Sequence, residues 1–193
     1  MKNAVLHVVA VISNPVRYKS RYALFEKFKA KMVTNPNVKL WVVEIAYGDR
    51  CFEVTERDNI THLQLRTWDE IWHKENMINL GIQYVLQLAP DAEYIAWIDA
   101  DVEFLDPNFA KSTIHALQQH HVVQMWQNAI DTGPDGRLMA THQSFMWQYR
   151  SGKPYCYGRG RTGYYEHWHP GYAWAARREA LDRRQEIRID EEN

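Results

Sequence analysis

The sequence predicts an α/β domain whose strands are buried between helices, and three observations predict it. Residues 5–12 form one continuous apolar run apart from His7, as a strand covered on both faces requires. Apolar runs of this kind then alternate along the chain with stretches whose apolar residues recur at three and four. The run Tyr94-Ile95-Ala96-Trp97-Ile98 ends in Asp99-Ala100-Asp101, which puts two carboxylates where open α/β sheets present their ligands.

Each element follows in order. After the first strand, Asn14-Pro15 marks a turn. Leu24, Phe25, Phe28 and Met32 keep helical spacing, so residues 17–33 read as an amphipathic helix that Asn35-Pro36-Asn37 closes. Residues 39–46 read as a second buried strand and residues 60–66 as a short alternating one. Met77, Leu80, Gly81, Tyr84, Val85 and Leu88 predict a helix over 73–89, closed by Pro90. Asp106-Pro107 reads as an N-cap with proline at the first helical position, opening a helix to about residue 119. Residues 122–126 read as a strand, Gly133-Pro134-Asp135-Gly136 as a tight turn, and 138–149 as a returning strand. Residues 150–169 read as a long glycine-, tyrosine- and arginine-containing loop of functional type. With no internal repeat and no linker, residues 1–181 form one domain and 182–193 a charged tail.

Composition narrows the function classes. A chain of 193 residues with 46% apolar and 24% charged residues can bury a substantial core. A net charge of −1 gives no global basic field for extended nucleic acid or acidic membrane. Cys51 and Cys156 lack metal-type spacing and read as thiols of a reducing compartment, with a single bridge left open. The N-terminal apolar run lacks the strongly basic start of a signal peptide and reads as a buried strand, and no segment suits a bilayer span. The expected location is cytoplasmic. Eight tryptophans and eleven tyrosines are many for this length, and some of their faces suit a sugar or a base.

Several constellations can carry chemistry. On an extended strand, residues two apart share a face, so Asp99 and Asp101 are expected to project together with Ala100 turned away. Two such carboxylates suit Mn²⁺ or Mg²⁺, which can neutralise a diphosphate leaving group; the plainer reading is two solvated loop aspartates. Lys74, at the start of the helix before that strand, is placed to contact a diphosphate, with Asn79 on the following turn. Glu44 lies inside an apolar strand, where a carboxylate is costly unless paired; it reads as a contact to a base or ribose, or as a core salt bridge. His169, at a Trp-His-Pro-Gly corner, is a candidate third metal ligand beside Asp101, and Glu166 a candidate general base toward an acceptor hydroxyl. Gly158-Arg159-Gly160-Arg161-Thr162-Gly163 matches a dinucleotide fingerprint in letters only, because no strand precedes it and no amphipathic helix follows. It suits a lid over phosphates or acceptor, or a plain surface loop.

Five segments carry a family resemblance across most of residues 4–181: Asn14-Pro15-x-Arg17-Tyr18, Val42-Val43-Glu44, Trp72-x-Lys74-Glu75-x-x-x-Asn79, Trp97-Ile98-Asp99-Ala100-Asp101, and His169-Pro170-Gly171-Tyr172-Ala173-Trp174 leading to Arg177-Arg178. In order and spacing the chain resembles a GT-A fold glycosyltransferase, similar to the family-2-like nucleotide-sugar transferases of bacteria and phages. The resemblance implies a Rossmann-like domain with a mixed, mostly parallel central sheet flanked by helices. It implies that Asn14, Arg17 and Glu44 hold the nucleotide. Lys74 and Asn79 would then lie near the donor, Asp99 near its ribose, and Asp101 on Mn²⁺ or Mg²⁺. The implied activity is transfer of a sugar from a nucleoside-diphosphate sugar to an acceptor hydroxyl, with inversion. The acceptor class stays open among glycan, protein and modified nucleic acid. Family members usually continue past the Arg-Arg segment with acidic or Gly-Asp residues near the acceptor, where this chain has its charged tail. The competing expectations are a sugar-phosphate nucleotidyltransferase and a GT-A module that binds a nucleotide without turnover. Against the former, Asn14-Pro15-Val16-Arg17 is a poor substitute for a glycine-rich phosphate loop.

Overall fold

The computed structural model describes residues 4–152 and 169–181. Strand β1 (Leu6–Ser13) lies at the centre of a six-stranded sheet. Helix α1 (Lys19–Thr34) leads to β2 (Val38–Tyr47), and β3 (His62–Thr67) extends the sheet on that side. Helix α2 (Lys74–Leu88) carries the chain back to β4 (Tyr94–Asp99), on the other flank of β1. Helix α3 (Phe109–Leu117) and β5 (Val122–Gln124) follow. A hairpin of β6 (Asn128–Thr132) and β7 (Leu138–Gln143) forms a separate two-stranded sheet. The described chain ends with α4 (Phe145–Arg150), β8 (Ala173–Arg177) and α5 (Arg178–Leu181). The order of the main sheet is β3-β2-β1-β4-β8-β5. The pairs β1–β2, β1–β4 and β2–β3 are parallel, and β8 runs antiparallel to both neighbours. The architecture is therefore α/β, with a mixed, mostly parallel sheet flanked by helices.

Alternation along β1 builds both halves of the core. Leu6, Val8, Ala10 and Ile12 face Phe25, Phe28 and Met32 of α1 and Ala110, Ile114 and Leu117 of α3. Val9 faces the opposite way, with Trp41, Val43 and Ile45, toward Met77, Ile82 and Val85 of α2. Period two on the strand thus meets period 3.6 on each helix.

Three expected elements differ. The strand expected over 138–149 stops at Gln143, because the Ser144 hydroxyl accepts the Trp147 N–H at 3.2 Å and caps α4. Its partner β6, across the Gly133–Gly136 turn, had no counterpart in the sequence reading. The segment expected to turn directly into Arg177-Arg178 is instead β8, between β4 and β5. Its alanines Ala173, Ala175 and Ala176 are fully buried there. The Asp106-Pro107 cap also shifts: α3 starts at Phe109, with the Asp106 carboxylate accepting the Asn108 N–H at 2.8 Å in the turn before it.

Arg177 and Arg178 each close a different helix. The Arg178 guanidinium donates to the carbonyls of Ala89 at 3.1 Å and Leu86 at 3.0 Å, at the end of α2. Arg177 donates to the Leu117 carbonyl and to that of Gln118 at 2.6 Å, at the end of α3. Cations suit helix C-termini, where unpaired carbonyls collect.

Candidate functional site

From β1 the chain winds outward through β2 to β3, then crosses back to β4. The order reverses between β1 and β4, and crevices at such switch points, beyond the carboxyl ends of the strands, are where open α/β sheets bind ligands. A cleft of about 650 Å³ opens there. It is walled by Ser13, Tyr18 and Arg21 on one side, Trp72, His73 and Lys74 on the other, and Asp99, Ala100 and Asp101 at the end of β4. The first turns of α1 and α2 both border it. No side chain caps either helix, so the N–H groups and positive dipole ends of two helices face one cleft.

Lys74, Asp99 and Asp101 are brought together as the sequence anticipated, by a different local geometry. Strand β4 ends at Asp99, and the Val102 N–H donates to the Asp99 carbonyl at 3.1 Å. The chain therefore turns over Asp99–Val102, and Asp101 comes round on that turn, so strand alternation does not place it. Ala100 is not turned away, since it too lines the cleft. Lys74 Nζ lies 2.6 Å from Asp99 Oδ1. Burial of the carboxyl raises the Asp101 pKa, as does the charge of Asp99, while Lys74 and Arg21 oppose the rise. Asp99 and Asp101 thus share the cleft with Lys74 and Arg21, and Asp101 bears the cost of burial beside a second carboxylate.

The other expected residues fare differently. Asn14 is buried and its amide bonds its own loop: Oδ1 accepts the Tyr18 N–H and Nδ2 donates to the Tyr18 carbonyl, both at 3.0 Å. It shapes the turn after β1. Arg17, in the left-handed region at φ 58°, lines a second cavity of about 440 Å³ with Tyr47, Asp49, Arg50 and Trp68. Glu70 borders both spaces. Gly48 makes that cavity's wall possible: at φ 58° its Cα lies beneath the Trp68 ring, which an added Cβ would approach to 3.1 Å.

Glu44 is corrected from ligand contact to loop anchor. Its carboxylate accepts the N–H groups of Glu53, Val54 and Thr55 at 2.7, 3.1 and 2.9 Å, and the Thr55 hydroxyl at 2.7 Å. Those donors satisfy the buried charge without an arginine. Asn79 is likewise corrected. It is exposed on α2, five residues past Lys74 and so rotated well off the face that carries Lys74 and Met77 to the cleft. Glu166, the glycine-arginine motif and the tail fall outside the described residues.

His169 does not complete a ligand set with Asp99 and Asp101. Among the described residues, no three His, Cys, Asp or Glu side chains are grouped to hold a metal ion. Instead His169 Nδ1 accepts the Gly171 N–H at 3.1 Å, and its ring stacks on Tyr172 with centroids 4.3 Å apart. Trp126 and His142 complete this aromatic group. Asp131 sits beside it, accepting the Tyr172 hydroxyl at 2.7 Å and lying 2.9 Å from His142 Nε2. Burial opposes ionisation of Asp131, but these hydrogen bonds and the charges of His142 and His169 hold its carboxyl below the usual range. Burial and the bond to Asp131 push the Tyr172 hydroxyl up. Asp131, His142, Tyr172 and Arg21 were not among the candidates read from sequence. Their contacts join residues far apart in the chain, and only Gly133-Pro134-Asp135-Gly136 hinted at the hairpin that carries two of them.

The fold and cleft define an α/β domain with an ionic pocket at its topological switch point, bounded by two helix N-termini. No protein-family model matches the chain, and no curated protein matches it in sequence. Solved structures overlay loosely on most of it. A provisionally assigned nucleotide-diphospho-sugar transferase from Desulfovibrio desulfuricans G20 matches with a TM-score of 0.42 and 10% identity, over 97% of this chain and 71% of its own. A 4-diphosphocytidyl-2C-methyl-D-erythritol synthase matches with a TM-score of 0.43 and 12% identity, over 97% and 81%. The corresponding synthase from Anaerococcus prevotii DSM 20548 gives 0.44 and 12%, over 92% and 72%. At such values the likeness carries no argument about chemistry, which rests on the cleft. No helix among the described residues is long and apolar enough to cross a membrane.

Proposed function

We propose that the cleft binds a nucleoside-diphosphate sugar and that the protein transfers the sugar to an acceptor hydroxyl. The observation that carries this reading is the convergence of Lys74, Asp99 and Asp101 with the uncapped first turns of α1 and α2 on one cleft. A diphosphate leaving group needs positive charge and N–H donors where its own negative charge develops. Lys74, Arg21 and the two helix ends offer both. The cavity beside Arg17, Tyr47 and Trp68 has an aromatic wall suited to the base. That assigns the nucleoside to residues other than Glu44.

The acidic pair fits a hard divalent cation. Both groups are oxygen donors, burial and the charge of Asp99 make Asp101 costly to ionise, and Mg²⁺ and Mn²⁺ take one or two carboxylates together with phosphate oxygens and water. Asp99 and Asp101 would hold Mn²⁺ or Mg²⁺, which when bound neutralises charge on the departing diphosphate. Within the protein, Lys74 holds Asp99 in place, and Arg21 lies near enough to Asp101 to feel its charge.

Calorimetric titration of nucleoside diphosphates, with and without Mn²⁺, tests the reading on wild type and Asp101→Asn. Mn²⁺-dependent binding of one diphosphate, lost in the variant, is the expected result. No binding to any of them sinks the proposal. Hydrolysis of the matching sugar donor then separates a transferase from a silent module. Pyrophosphate release from a nucleoside triphosphate and a sugar phosphate would instead identify a nucleotidyltransferase.

A further inference from the structure

We propose that Asp131 is a positioning residue for the Asp99–Asp101 turn and acts on it through Tyr172. The inference rests on the functional reading above only for its consequence in binding, not for the coupling itself. Asp131 stands on β6, outside the main sheet, yet it accepts the Tyr172 hydroxyl at 2.7 Å. The Tyr172 carbonyl in turn accepts the Asp99 N–H at 2.8 Å, where β4 ends and the acidic turn begins. Tyr172 makes that bond from the left-handed region, at φ 72°. A tyrosine persists in that conformation only where its surroundings over-determine it.

The surroundings do so from several sides. The Tyr172 ring stacks on His169 and packs on Trp126 with centroids 5.1 Å apart. Trp126 Nε1 donates to the Gly171 carbonyl at 3.1 Å, and Gln124 Nε2 donates to that of His169 at 2.9 Å. These contacts hold the ring and the turn before it. The bond to Asp131 fixes the remaining end of the side chain, and His142, 2.9 Å from the other Asp131 oxygen, orients the carboxylate. The two-stranded hairpin is therefore latched to the last residue of β4 through one tyrosine. Loss of the latch frees Tyr172 to relax its backbone, which withdraws the carbonyl from the Asp99 N–H and loosens the carboxylates facing the cleft.

Amide hydrogen exchange at Asp99 reads the latch directly, in Tyr172→Phe, Asp131→Ala and Asp131→Asn. Local opening should speed exchange of the Asp99 amide about tenfold in Tyr172→Phe and Asp131→Ala, with the amides of Val9 and Val43 in the core unchanged. Asp131→Asn keeps an acceptor for the tyrosine hydroxyl and should restore slow exchange. Mn²⁺-dependent binding of the nucleoside diphosphate that wild type prefers should weaken in the same two variants and recover in Asp131→Asn. Wild-type exchange at Asp99 in Asp131→Ala overturns the proposal. So does acceleration shared equally by the core amides, since Asp131 would then support the fold as a whole. Faster exchange with unchanged binding also overturns it, because a positioning role requires both. A wild type that binds no nucleoside diphosphate removes the functional reading and leaves the latch to be judged by exchange alone.

Discussion

On the proposed reading, Lys74 contributes little to folding and more to holding a diphosphate. Its pair with Asp99 is partly exposed, with side chains 31% and 25% accessible, and such pairs contribute only about 0–1 kcal/mol to folding. A charge-assisted contact to a phosphate is stronger, about 1.5–3 kcal/mol. Lys74→Ala should therefore weaken diphosphate binding by roughly ten- to a hundredfold while barely moving the urea midpoint; the reverse pattern would make Lys74 structural. His7 has the opposite character, deep in the sheet and away from the cleft. Its Nδ1 accepts the Trp41 indole N–H at 3.1 Å, so the neutral ring is the folded form. Burial, reinforced by the charge of Lys39 and opposed by Asp91, lowers its pKa from 6.5 to about 4. A folded pKa below the unfolded one means that the unfolded chain takes up the proton first as pH falls. The stability tied to neutral His7 is thus complete above pH 6.5 and drains away down to about pH 4, reaching about 3 kcal/mol at the limit. His7→Asn keeps an acceptor for Trp41 without the titration. Stability curves from pH 7 to 4 should be flatter in this variant, and parallel curves would clear His7 of the role.

Secondary elements were legible wherever one periodicity ruled a long segment. β1, α1, β2 and α2 appear within a few residues of expectation because each shows an unbroken apolar run or a clean helical stripe. β8 was not legible, because alanine has low strand propensity and its place is set by antiparallel pairing between the buried β4 and the edge strand β5. α4 hid behind a returning-strand pattern, since one Ser144 cap redirects the chain after Gln143. Packing between elements depends on equally small details. Gly81 on α2 faces the sheet where an added Cβ would come within 2.6 Å of Val9 Cγ1 and 2.8 Å of Val43 Cγ2. Alanine there gains about 1 kcal/mol of helix propensity but forces α2 off strands that cannot yield, at about 1–3 kcal/mol. Gly81→Ala should come out destabilising by denaturant unfolding, and a gain in stability would show that α2 shifts freely. At the other end of α2, Arg178→Ala removes two charge-assisted bonds to the Leu86 and Ala89 carbonyls. It should cost about 2 kcal/mol in the same measurement. Lysine, with one compact ammonium in place of the planar fork, should recover only part of it.

At the scale of the whole molecule, a local pattern pointed to the cleft but not to all the residues around it. Asp99-Ala100-Asp101 after an apolar strand located the cleft, because the end of a buried parallel strand next to the switch point is a consequence of topology. Glu44 misled because a carboxylate inside an apolar strand signals a buried acceptor without saying who donates; the donors were backbone N–H groups nine to eleven residues on. Arg21, Asp131 and Tyr172 reach the site only through the fold. One half of the cleft so assembled holds two uncapped helix ends, and the other a carboxylate pair in which Lys74 is matched to Asp99 and Asp101 resists ionisation. Binding a diphosphate together with Mn²⁺ or Mg²⁺ would satisfy both halves at once, whereas either alone leaves one half unmatched. The two ligands should therefore stabilise the fold cooperatively. At a hundredfold excess over its dissociation constant a ligand adds about 2.7 kcal/mol, which for a chain of this size raises the melting temperature by roughly 5–10 °C. Thermal unfolding with Mn²⁺ alone, nucleoside diphosphate alone, and both should show a joint shift larger than the sum of the separate ones in wild type. In Asp101→Asn the excess should vanish. Shifts that simply add in wild type would mean that cation and diphosphate do not meet in this cleft.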